Sequence, residues 1–175
     1  MKDVKPHLLE STLFETVLGI PAHPLLVHAA VVFVPLLILV TLAYGLLPGF
    51  RKRVDWAVVA LAIGAPGAAF LAKQSGEAFK ARLIRENSVS PQDLASISTH
   101  QNFGTMTFWF TCGLAVIALA LVGMQFSRRR RHGTSRAFGP VTLILVVLAI
   151  AASGVTGYYV FKTGDTGAHI VWQGR

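Results

Sequence analysis

The sequence predicts an all-α polytopic membrane protein, a four-helix bundle whose second and third helices extend into an external hairpin. Three observations predict it. Apolar residues make up 53% of the 175 residues and charged residues 14%, with a mean hydropathy of +0.58. A soluble domain carries about 25% charged residues, and one this small has too much surface per volume to hide so apolar a chain. Second, four runs free of Asp, Glu, Lys and Arg have spanning length: Leu25–Leu47, Trp56–Ala72, Phe103–Phe126 and Phe138–Phe161. A helix crosses the hydrocarbon with about 20 residues, within a range of about 17–25. Third, charge is distributed by loop. The short loops after the first and third runs hold eight of the 16 basic residues and one of the eight acids, a net of +7, against +1 for the rest.

The residues before the first run are of mixed charge (Lys2, Asp3, Lys5, Glu10, Glu15). That run is too long for a signal h-region and no small-x-small cleavage site follows it, so it reads as a span. His23-Pro24 opens it, with His23 near the N-cap and Pro24 at the first helical position. Pro35 and Pro66 fall inside the first two spans and predict kinks. The second run is the shortest, but its helical pattern continues past Lys73.

Lys73–Glu86 is rich in helix formers and carries an i,i+3 pair, Glu77 with Lys80. Asn87-Ser88-Val89 reads as a turn, and Ser90-Pro91-x-Asp93 as a helix start. Residues 73–100 therefore form a helical hairpin continuing spans two and three, in one domain (1–175) with short tails at 1–24 and 162–175. With the hairpin centred between Ser88 and Val89, Glu77 stands level with His100. Ala60, Gly64, Ala68, Ala72 and Gly76 on helix two, and Ala149, Ser153 and Gly157 on helix four, recur every four residues as packing stripes.

The basic loops, 48–55 and 127–137, belong in the cytoplasm by the positive-inside rule. Both termini and the hairpin then lie on the outer side of the membrane. Because the basic residues flank apolar runs, they argue for topology rather than nucleic acid, with anionic lipid a secondary reading of the Arg run.

This topology puts five of the six histidines (His7, His23, His28, His100, His169) outside and only His132 among the arginines. His28 lies about one turn inside an apolar run, where an ionisable group is costly. His28 and His100 are candidate axial ligands for haem b, with Glu77 beside His100 and His23 as an alternate ligand. Their heights differ by roughly 9 Å at 1.5 Å per residue, which weighs against a simple pair. A divalent metal held by His28, His100 and Glu77, or with His23, is the other reading. The plainer one makes these residues interhelical hydrogen-bonders in an accessory subunit whose hairpin docks a partner. His23 and His28 point roughly 140° apart on one helix and do not chelate together. His169 and Asp165 are accessory candidates in the tail. The lone Cys112 allows no intramolecular disulfide and no cysteine-based cluster. HExxH, GxSxG and P-loop patterns are absent, so enzymatic activity is not indicated. No span holds an acid or an interior Lys, which weighs against an ion-coupled carboxylate relay.

Four strings resemble a bacterial family of four-span membrane proteins, domain of unknown function 2231. They are Gly19-Ile20-Pro21-Ala22-His23-Pro24-Leu25-Leu26-Val27-His28, Gln74-Ser75-Gly76-Glu77-Ala78, His100 with Gly104, and Gly164-Asp165-Thr166-Gly167-Ala168 closing with Val171-Trp172. The last resembles the tail of actinobacterial members. The resemblance implies four spans, no settled activity and the polar set His23, His28, Glu77 and His100. Fusions of relatives to Rieske-type or cytochrome-type domains imply membrane redox chemistry and a membrane or extracytoplasmic redox partner. Many relatives carry His where this chain has Asp165. Homo-oligomerisation stays open.

Overall fold

A computed structural model describes residues 16–17, 20–130 and 139–172. A two-residue antiparallel pair, β1 (Thr16–Val17) with β2 (Ile20–Pro21), leads into four helices. These are α1 (Ala22–Leu46), α2 (Arg51–Arg85), α3 (Pro91–Arg130) and α4 (Pro140–Trp172). All four are long and apolar enough to cross a membrane. Consecutive helices pack against each other, and α4 returns to α1 to close the ring. The loops are short, so neighbours are antiparallel and the bundle has two distinct ends. The N-terminus of α1, the α2–α3 turn and the C-terminus of α4 share one end. The other bears Arg51, Lys52, Arg53, Arg128 and Arg129.

The packing is that of a protein dissolved in lipid. Buried positions favour small side chains: Ala62, Ala65 and Ala69 on α2, Ala115 and Ala118 on α3, Ala149 on α4. Large apolar side chains such as Leu39, Ile63, Val116 and Ile144 face outward. Hydrocarbon gives helices no hydrophobic reason to associate, so close backbone approach over small residues takes that role. The α4 stripe of Ala149 and Ser153 is buried as expected, with Thr142, Val146 and Thr156 completing it. On α2 Ala68 of the expected stripe is buried, Gly64, Ala72 and Gly76 are half-buried and Ala60 is exposed, with Val58, Ala62, Ala65 and Ala69 completing the buried seam. Ala65→Leu should overpack this seam and lower stability by about 1–3 kcal/mol, read as a lower melting temperature in detergent. An unchanged melt would mean that the α2 seam is loosely packed.

The α2–α3 turn forms as the residues dictate. Asn87 adopts φ 51°, the left-handed conformation that suits a helix C-terminus. Ser90 caps α3, its Oγ accepting from Asp93 N–H at 3.1 Å. At about 1.5 Å per residue, α2 is ~52 Å and α3 ~60 Å long against a ~30 Å hydrocarbon core, so both continue well beyond the spans. Both Pro35 and Pro66 lie within continuous helices.

One expectation fails. Residues 162–172 are not a tail but the last three turns of α4. Thr163 and Thr166 donate their hydroxyls to the Tyr159 and Lys162 carbonyls one turn back, at 2.8 Å each. Asp165 reaches Lys162 at 3.6 Å and His169 at 3.7 Å. These local ties hold a Gly- and Thr-rich segment helical. His132 lies outside the described residues.

At the basic end, Tyr44 donates to Asp55 Oδ1 at 2.7 Å, and Arg129 pairs with Asp55 Oδ2. One carboxylate thus ties α1, α2 and α3. Tyr44→Phe should cost about 1–2 kcal/mol by removing a hydrogen bond to a charged group, seen as earlier unfolding in a denaturing-detergent titration. A titration superimposable on the wild type would show that the Asp55–Arg129 pair suffices.

Candidate functional site: a histidine pair at one end of the bundle

The end opposite the arginines holds a cavity of about 790 Å³ bounded by all four helices. Its wall is mostly apolar. The polar groups that matter are His23 and His28 from α1, His100 and Gln101 from α3, and the rim pair Lys73 and Glu77 from α2. Cavities of about 300–1,000 Å³ with few placed polar groups are the usual form of a cofactor or ligand site.

The structure brings together a different histidine pair from the one expected. The rings of His23 and His100 approach across the bundle, from α1 and α3, with centroids 6.5 Å apart and planes at 84°. His28, five residues further on, sits on another face of α1. Its Nδ1 donates to the Pro24 carbonyl of its own helix. Glu77 does not face His100 either. Its carboxylate is exposed and pairs with Lys73 at 2.6 Å. The trio His28, His100 and Glu77 is therefore not convergent, and no cluster of three or more His, Cys, Asp or Glu side chains occurs among the described residues.

Each imidazole of the close pair is held in the same way. His23 Nδ1 lies 3.0 Å from Ser75 Oγ, whose own hydrogen goes to the Ala72 carbonyl at 2.9 Å. His100 Nδ1 lies 3.1 Å from Thr166 Oγ1, whose hydrogen goes to the Lys162 carbonyl at 2.8 Å. A hydroxyl has one hydrogen to donate. With that hydrogen on the backbone carbonyl, each oxygen accepts from Nδ1–H, the tautomer that leaves a lone pair on Nε2. A partner on Nδ1 orients an imidazole ring, and here that partner is a neutral hydroxyl rather than the expected carboxylate.

Glycines make room for both rings. A Cβ on Gly76 would lie 3.1 Å from His23 Cε1, and one on Gly167 would lie 3.0 Å from His100 Cε1. The site is therefore two copies of one unit, a histidine on the first helix of a hairpin set against a Ser/Thr-Gly dipeptide on the second. Gly167→Val should displace the His100 ring and break its bond to Thr166. Loss of one slowly exchanging imidazole N–H resonance in the NMR spectrum checks this, and retention of both would show that the ring has room to spare.

Sequence reasoning missed Ser75 and Thr166 as partners. The recurrence of Ser75-Gly76 and Thr166-Gly167 was the available signal. Gln101 was missed too. Its Nε2 donates to the Gly76 carbonyl at 3.3 Å, and its Oε1 accepts from Lys80 at 3.1 Å. The accessory candidates lie elsewhere. Asp165 and His169 line a separate polar groove of about 610 Å³ beside Gln92, Asp93, Ser96 and Thr99.

Four apolar helices with polar chemistry gathered at one end define a polytopic four-helix membrane protein. Residues 19–175 match the family model described as predicted membrane protein (DUF2231), and the chain belongs to that family. No curated protein and no solved structure matches it.

Proposed function

We propose that the protein is a small membrane redox module that holds a haem b between His23 and His100. The observation that carries this reading is the pair of opposed imidazoles, 6.5 Å between centroids, each with its Nε2 lone pair left open by an Nδ1 bond. Two ring nitrogens each about 2 Å from one metal centre place the centroids roughly 6 Å apart, a spacing that the pair matches. Haem b would supply a one-electron iron couple. The chain's own contribution is orientation and exclusion. Ser75 and Thr166 orient both rings through Nδ1, Gly76 and Gly167 leave the rings room, and the wall around them is mostly apolar. Thr107 and Thr163, joined at 2.9 Å, fasten α3 to α4 one turn further in.

The charge bias of the loops supports an orientation with the arginine end in the cytoplasm. The histidine end and the α2–α3 hairpin then face outward, where electrons would pass between a membrane pool and an external partner. The test is an absorption spectrum, oxidised and dithionite-reduced, of detergent-purified protein made with haem available, with metal analysis on the same sample. A Soret band and sharp reduced α/β bands are the expected result. A clean spectrum without stoichiometric iron would leave the histidines as ties between helices and end the redox reading.

A further inference from the structure

The cavity is larger than the histidine pair requires, and it has a mouth. Its exposed wall residues fall mainly on α1 and α4: Pro24, His28 and Val31 on one side, Ala168 and Trp172 on the other. Val31 is 54% exposed and Trp172 68%. Deeper in, α1 and α4 close on each other, where a Cβ on Gly157 would touch Ile38 and one on Gly45 would touch Val146. The α1–α4 seam is thus shut toward the basic end and open toward the histidine end. The opening faces sideways at the level where the apolar run of α1 begins, within reach of the adjoining lipid leaflet.

His28 stands at that opening and takes no part in the His23–His100 pair. A carbonyl can only accept, so the bond from His28 Nδ1 to Pro24 O fixes the proton on Nδ1. Nε2 is left as a pure acceptor in a half-apolar setting. Such a group selects a ligand that brings a hydroxyl hydrogen and rejects one offering only carbonyl oxygens, because two acceptors cannot pair.

We infer that the lateral mouth between α1 and α4 binds a lipid-soluble quinol, whose hydroxyl donates to His28 Nε2. The identity of the ligand as a redox carrier rests on the redox reading above, whereas the acceptor geometry does not. The oxidised quinone has lost both hydroxyl hydrogens, so the site prefers the reduced form. The other hydroxyl-bearing molecule of a bilayer, a glycerolipid, shares the hydrogen bond but lacks the ring.

The experiment measures binding of decylubiquinol and decylubiquinone to the protein in nanodiscs, by quenching of tryptophan fluorescence with Trp172→Phe as the control. Decylubiquinol should bind about tenfold more tightly than the quinone, the difference one hydrogen bond makes. His28→Ala should remove that preference, His28→Gln should restore part of it through its amide oxygen, and Val31→Trp should block both forms. Equal affinity for the two forms in the wild type, or a preference that survives His28→Ala, would overturn the proposal. Displacement of the quinol by monoolein at equal concentration would assign the mouth to a glycerolipid and also overturn it. The His23→Ala/His100→Ala variant separates the two readings. Quinol preference retained there, beside a spectrum without haem in the wild type, would sink the redox module and leave the quinol site standing.

Discussion

On the proposed haem reading, His23→Ala and His100→Ala should each abolish the haem spectrum, while His28→Ala and Glu77→Gln leave it in place. The two rings that converge are those of His23 and His100, at 6.5 Å. His28 is turned back onto Pro24, and Glu77 is paired with Lys73. Removing either converging imidazole would delete one of the two residues that would hold the group, so the loss should be all-or-none. Ser75→Ala and Thr166→Val act through the rings instead. They release the tautomer without removing a ligand, and orienting partners of this kind typically change affinity by about 10–100-fold. The sequence-based pairing makes the opposite forecast, with His28→Ala fatal and His23→Ala mild. A haem titration of the four single variants therefore decides between the two ligand sets, and retention of haem by His100→Ala would refute both.

Height along the bundle was legible in the sequence, and rotation about each helix was not. The turn at Asn87 and the cap at Ser90 fix the hairpin register, and Gln101 meets Gly76 at the level that register gives. Glu77 is one residue, about 100°, further around α2 than Gly76, and that rotation carries it away from His100. The same cause bends the packing stripe at one end. A step of four residues overshoots a turn by about 40°, so Ala60 drifts out of the seam in which Ala68 is buried with Val58, Ala62, Ala65 and Ala69. The end of α4 was lost for a chemical reason. Gly164, Asp165 and Gly167 read as loop residues, but Thr163 and Thr166 tie them into the helix by bonding one turn back. That error hid the partner of His100, since Thr166 reaches the ring only from a helical α4. The four spans themselves were readable, because a charge-free apolar run has few alternatives in lipid and a helix satisfies its own backbone there.

Arg51→Ala should destabilise the bundle by about 2–4 kcal/mol, the largest loss expected from any change at the basic end. The first helix stops at Leu46, which strands the carbonyls of its last turn without intrahelical partners. The Leu47 amide takes the Ala43 carbonyl. The Tyr44 and Gly45 carbonyls are met by Arg51 instead, through Nε at 2.8 Å and Nη2 at 2.9 Å. That fork is buried, with Arg51 8% exposed. An arginine counted as a topology charge is therefore also the cap of α1. Alanine there leaves two carbonyls unmet near lipid, where an unsatisfied backbone group is far more costly than at a wet surface. Arg51→Lys keeps the charge but loses the planar fork, so it should recover only part of the difference. Lys52→Ala, on a neighbouring exposed site, removes the same charge and should change stability by no more than about 0.5 kcal/mol. A denaturing-detergent titration of the three variants separates capping from charge. If Arg51→Ala and Lys52→Ala proved equally mild, the arginine would be a topology signal alone and α1 would need another explanation for where it stops.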